Sequence, residues 1–179
     1  MIDAAKIILE QAGRHNDINK PYNPLTVEGC QGERVCLKIK DAPDSLLYIP
    51  KPMMKEKICK TLKKYGSIEG IFLKHGIIPD KQDIETIWIE FCEKRINYDF
   101  EFFAYVYQTI EDGLTAQDIP FKLNRGQRRL LDKLENMRLN GLPIRIILLK
   151  ARQWGGSTLV QLYMFWIQLV HRKNWNSVI

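Results

Sequence analysis

No CxxC pair occurs among the four cysteines, Cys30, Cys36, Cys59 and Cys92, and His15, His75 and His171 lie far in sequence from any ligand partner. The spacing of a zinc site is therefore missing. Long apolar runs are missing too: the most apolar stretch, Leu159 to Val170, is too short to span a bilayer and is interrupted by Gln161 and Gln168. It is expected to form a buried helix. The opening MIDAAKIILEQAGRHN lacks a basic lead and a cleavage site and carries acids among its apolar residues, so no signal peptide is expected. A cytoplasmic setting with reduced thiols follows. Prolines number only 8, while apolar residues make up 45% of the chain and aromatics 10%, which excludes a disordered chain. Its 179 residues suffice for one medium domain, or for a small domain with part of another.

Acids are in deficit, with 21 Asp and Glu against 27 Lys and Arg, and the net charge of +6 favours polyanionic partners. Between Lys122 and Arg152 nine basic residues face only Asp132 and Glu135. A second cluster, Lys51, Lys55, Lys57, Lys60, Lys63 and Lys64, faces only Glu56. Lysines at this spacing on a short helix are ordinarily a solvated face, and that reading is preferred to a DNA contact.

Asp3 to Arg14 has helical spacing, and the turn-rich PYNPLTVEGCQGER follows. Val35, Leu37 and Ile39 then alternate with polar residues as a strand would, with Leu46 to Ile49 as a candidate partner. A basic amphipathic helix is predicted over Met53 to Tyr65, and a short one from Ser67 to near Gly76. Such a pair is more often a packing unit than a DNA-reading helix-turn-helix. From Lys81 to Arg95 the residues Ile84, Ile87, Trp88, Phe91 and Cys92 share one helical face, with Asp80 as N-cap. The aromatic segment DFEFFAYVYQTIED reads as core, with a strand around Tyr105 to Ile110. Asn124 is placed to cap a helix carrying Leu130, Leu131, Leu134 and Met137 to a stop at Gly141. A boundary near residue 118 divides the chain into an N-terminal region, 1–118, of unassigned role and a second unit, 119–179.

Ile144 to Leu149 is a short apolar run suited to a strand buried in a parallel sheet. It leads into KARQWGGST and the apolar helix LVQLYMFWIQLV. Strand, glycine loop and helix in that order bring backbone N–H groups and a helix N-terminus around phosphate oxygens. The usual pattern, G-x-x-x-x-G-K-[ST], is not met. With Gly155 and Ser157 in register, Lys150 stands for the first glycine and Gly156 for the lysine; with Gly156 and Thr158 in register, Ser157 replaces the lysine. A plain strand-to-helix turn is the competing reading. Phosphate binding needs a nearby cation, and Lys150 and Arg152 are close enough to provide it.

The run FKLNRGQRRLL followed by RIILLKARQWGGST resembles the N-terminal ATPase region of large terminase subunits, the viral motors that package double-stranded DNA. The resemblance covers roughly residues 98 to 179. It implies the beginning of a P-loop NTPase parallel-sheet domain (α/β), preceded by a mainly helical α+β region, and a cytoplasmic location in a bacterial host cell. It assigns Gln127 to the adenine and Arg152, Gln153, Gly155 and Ser157 to the phosphate loop, with Gly156 in the lysine position as the main departure. Lys150 is the candidate displaced cation, and Arg152 the candidate catalytic arginine at the γ-phosphate, against an ordinary surface role for it. Trp154 is expected to pack under the loop rather than stack on the base, and Thr158 belongs to the alternative register. ATP with Mg²⁺, the latter bound at Ser157 through the nucleotide, would be the cofactors. Double-stranded DNA, a portal, a small terminase subunit and a homo-oligomeric ring would be the partners, with no membrane.

Hydrolysis needs an acidic pair at the end of a later strand, and no apolar strand here ends in Asp-Glu. The sequence reads as stopping within the next strand, without the family's nuclease domain. This reading predicts weak nucleotide binding without turnover, and exposed apolar surface where Ile144 to Leu149 lacks covering elements. Two alternatives stand beside it. One is a basic nucleic-acid-binding or interaction module with a merely structural loop; the other is a different ATPase, such as a helicase.

Overall fold

The computed structural model describes residues 16–42, 46–111, 117–149 and 154–171. The N-terminal helix expected over Asp3 to Arg14 lies outside them. Strand β1 (Arg34–Lys38) pairs antiparallel with β2 (Leu46–Pro50), with Leu37 opposite Leu47 and Val35 opposite Ile49. The alternation read from the sequence sends Leu37, Ile39, Leu47 and Ile49 into the core. A short 3-10 turn over Lys51–Lys55 leads into helix α1 (Lys57–Tyr65), which buries Ile58, Cys59 and Leu62 and ends at Gly66. Gly66 has φ +68°, a left-handed cap that glycine adopts without a Cβ penalty. Ser67 then caps α2 (Ile68–Leu73) by accepting from the Gly70 N–H at 2.9 Å.

Helix α3 (Lys81–Ile96) begins with a reciprocal capping box: Asp80 Oδ1 accepts from the Asp83 N–H, and Asp83 Oδ2 from the Asp80 N–H. Its inner side carries Trp88 stacked on Phe91 at 5.2 Å, with Cys92 buried beside them.

The aromatic segment differs from expectation. Tyr105 to Tyr107 belongs to helix α4 (Phe100–Tyr107), and extended chain starts only at β3 (Thr109–Glu111), which pairs antiparallel with β4 (Asp118–Pro120). Local β-propensity loses here because Asp99 caps the helix, accepting from the Phe102 N–H, and because Phe100 through Val106 are all buried.

Helix α5 (Arg125–Leu139) follows, and Gly141 (φ +66°) turns the chain after it. Helix α6 (Gly156–Trp166) continues as a π-helical turn over Ile167–His171. The α6 aromatics close on α4: Phe100 lies edge-on to Tyr163 at 5.3 Å and to Trp166 at 5.5 Å. Trp166 is fully buried and donates from Nε1 to Ile96 O at 2.8 Å. One apolar cluster, from Ile18 to Trp166, runs through the described residues on both sides of residue 118.

The architecture is thus α+β, helices with two small antiparallel sheets. The parallel sheet expected around Ile144 to Leu149 is absent among the described residues. That run pairs with no strand, and Ile147 and Leu149 are 94% and 95% exposed. A parallel strand requires cover on both faces, and the described chain brings no neighbouring strand to this run.

Candidate nucleotide site

The N-terminus of α5 and the turn entering α6 are far apart in sequence and meet in space. Asn124 and Gln127 form a capping box: Asn124 Oδ1 accepts from the Gln127 N–H, and Gln127 Oε1 accepts from the Asn124 N–H, both at 2.9 Å. The other end of the same carboxamide, Gln127 Nε2, donates to Gly155 O at 2.9 Å. Gln127 is 3% exposed, so this amide is held inside the protein at both ends, with one Nε2 hydrogen left over. Asn124 Nδ2 adds a donation to Trp154 O at 3.3 Å.

Gly155 has φ +76°, and a Cβ on it would lie 2.8 Å from Gln127 Nε2. Glycine is required there both by the backbone and by the glutamine. Trp154 is half-buried, its indole packed so closely on Gly126 that a Cβ on that glycine would lie 2.2 Å from Nε1.

With glycine as N-cap, α6 has no N-cap side chain to accept from its first N–H groups. Gly156 is buried, while Ser157 and Thr158 are exposed in the first turn. A helix end of this kind offers N–H donors and the positive pole of the helix dipole to an anion. Beside it opens a groove of ≈ 430 Å³ with apolar walls from Trp154, Ile146, Leu148 and Leu149 and cationic α5 residues, Arg129 and Lys133, at its edge. A flat apolar group carrying a polyanionic tail matches such a lining.

Gln127, Trp154, Gly155, Gly156, Ser157 and Thr158 are therefore brought to one place. Lys150, Arg152 and Gln153 lie outside the described residues. Asn124, Gly126, Arg129 and Lys133 were not singled out as site residues from the sequence. Gly126 was the available signal, since glycine inside the first turn of a helix costs stability unless something must approach closely.

Three of the nine basic residues between 122 and 152 are already engaged. Arg128 is buried and paired with Glu101 at 3.0 Å, Arg138 is paired with Glu135 at 2.7 Å, and Arg125 donates to Pro24 O. A larger cleft of ≈ 610 Å³, lined by Arg34, Asp99, Glu135 and Arg138, contains none of the residues proposed from sequence, and its arginines are held by those carboxylates.

Compared with known protein families, curated proteins and solved structures, the chain matches none. No helix among the described residues is long and apolar enough to cross a membrane.

Proposed function

We propose that this chain is the N-terminal part of a terminase-like DNA-packaging ATPase, binding ATP where the turn before α6 rests on α5. The observation that carries the reading is the hydrogen bond from Gln127 to Gly155, which joins the upstream glutamine to the glycine loop across 28 residues. A remote, exposed Gln127 would have removed the basis for it. The uncapped N-terminus of α6 supplies phosphate-binding N–H groups, and the adjoining groove supplies an apolar bed with Arg129 and Lys133 at its rim.

Under this reading Lys150 and Arg152 bring the cations that the missing loop lysine would provide, with Arg152 at the γ-phosphate. A magnesium ion arriving with the triphosphate neutralises phosphate charge and needs few protein ligands. The exposed Ser157 hydroxyl fits that requirement, and no cluster of three carboxylate, histidine or cysteine groups among the described residues offers an all-protein cage. The chain contains no apolar strand ending in Asp-Glu, so it is expected to bind without turning nucleotide over. Double-stranded DNA, the portal, the small terminase subunit and the homo-oligomeric ring are partners of the parent motor under the same reading.

Titration of the 179-residue chain against a fluorescent ATP analogue with Mg²⁺ tests the proposal. Lys150→Ala and Arg152→Ala are each expected to weaken binding about tenfold, or about 1.4 kcal/mol. Absence of binding, or unchanged affinity in both variants, would overturn it.

A further inference from the structure

Helix α1 divides cleanly into two sides. Ile58, Cys59 and Leu62 are buried, while Lys57, Lys60, Lys63 and Lys64 are all exposed. The spacings of three, four and seven residues put these four lysines along one face, and the helix contains no acid. A fifth cation joins them from the end of α2: Lys74 Nζ lies 5.4 Å from the centroid of the Tyr65 ring, and Lys64 Nζ lies 5.5 Å from the same centroid. Two ammonium groups are thus drawn onto one aromatic ring. Hydrogen bonding to Lys74 foremost, and the nearby charges, lower the Tyr65 phenol below its ordinary pKa.

None of these five lysines takes part in an ion pair among the described residues. Two of the neighbouring acids are engaged elsewhere: Glu56 accepts from the Tyr98 hydroxyl, and Asp41 accepts from the Ile68 and Glu69 N–H groups, while Glu69 is exposed in the first turn of α2 and forms no ion pair with these lysines among the described residues. The arginines Arg128 and Arg138 differ, since both hold carboxylates.

We infer that the lysine face of α1, extended by Lys74, docks the phosphate backbone of double-stranded nucleic acid. From Lys57 to Lys64 the helix advances about 10 Å, a length over which a duplex presents about six phosphate charges. Neutralising them releases condensed counterions, the sequence-independent source of such affinity. Two competing surfaces fit less well. An interfacial membrane helix must free its apolar side for the lipid, whereas α1 has that side sealed in the core. A single-strand platform needs an open aromatic face for bases, whereas two ammonium groups are already drawn onto the Tyr65 ring. Lysines reaching phosphates position a duplex without reading its sequence. This face is separate from the α5–α6 turn, and the inference needs no nucleotide.

The test is binding of the 179-residue chain, without nucleotide, to labelled DNA duplexes of two unrelated sequences over a range of salt. The triple substitution Lys60→Ala, Lys63→Ala, Lys64→Ala exchanges exposed residues for a better helix former, and its melting curve reports whether the fold is kept. Both duplexes are expected to bind alike. The triple variant should lower the slope of log affinity against log salt by about 2 to 3 and weaken low-salt binding at least tenfold, while the control Lys81→Ala, Lys94→Ala on α3 changes neither. An unchanged slope in the triple variant, an equal loss in the control, no duplex binding by the parent chain, or tighter binding to phosphatidylserine vesicles at equal phosphate would each overturn the inference. Failure here leaves ATP binding at the loop standing, and failure of ATP binding leaves this face standing.

Discussion

Gly126 occupies the second helical position of α5, where alanine is ordinarily worth about 1 kcal/mol more than glycine. Trp154 reverses that preference, because the new methyl would land 2.2 Å from its Nε1 and the indole is too large to yield locally. Gly126→Ala is therefore expected to destabilise the protein despite its better helix propensity, and to shift tryptophan emission to the red as Trp154 is pushed towards water. A raised melting temperature with unchanged emission would show that Trp154 does not sit on α5. At this scale the resemblance singled out Gln127 and Gly155, and the structure brings the two together. The Asn-x-x-Gln spacing carries the capping box locally, but it does not disclose that the same carboxamide holds the loop, since that link spans 28 residues and depends on the fold. Glu101 was equally hidden: it lies among aromatics that read as plain core, yet it accepts from Arg128 and from the Gln31 N–H. Burial raises its carboxyl pKa, with Arg128 opposing.

Elements with local punctuation were legible. Asp80 before α3, Asn124 before α5 and the alternation in β1 each carry their own instruction, a cap or a two-residue period, independent of distant packing. The segment 105–107 was misread because aromatic and β-branched residues fit strands and buried helices equally well, and the Asp99 cap decided in favour of the helix. Ile144 to Leu149 presents the reverse case: its composition suits a buried strand, but strand formation depends on partners that the described chain does not bring. An unpaired apolar segment of this kind drives association. The double substitution Ile147→Asp, Leu149→Asp, at positions 94% and 95% exposed, is expected to leave folding stability within about 0.5 kcal/mol per site while reducing hydrophobic-dye binding and self-association. A loss of several kcal/mol would mean that the run is packed in solution.

At the scale of the molecule, segments distant in sequence are tied by buried charge. Arg34 makes a two-pronged pair with Asp99 at 2.8 and 2.9 Å, and Arg95 reaches the same carboxylate at 2.9 Å while donating to Asn19 and Ile18. Both guanidinium groups and the carboxylate are almost wholly buried, so each remaining polar atom must find a partner. Arg34 does so at Cys30 O, Gln31 O and Tyr48 O. Burial alone would raise the Asp99 carboxyl pKa, but Arg34 and then Arg95 hold it well below the usual carboxylate range. A depressed folded-state pKa contributes stability that is complete above the unfolded value of about 3.9 and is lost as pH falls through the folded one. Asparagine at this position keeps one carbonyl oxygen to cap α4, but it removes the charge and puts an NH2 donor where the other oxygen accepts from the guanidinium groups. Asp99→Asn is thus expected to cost about 3 to 5 kcal/mol at neutral pH. Subtracting the variant's stability curve from that of the parent cancels contributions common to both; the opposite one from Glu101, whose raised pKa favours folding towards low pH, cancels except for the part that the Asp99 charge itself contributes. The difference should stay level down to about pH 4 and shrink below it. A difference that is small at neutral pH, or that does not shrink under acid, would show that Asp99 is not the charge joining the N-terminal strand to the α3–α4 junction.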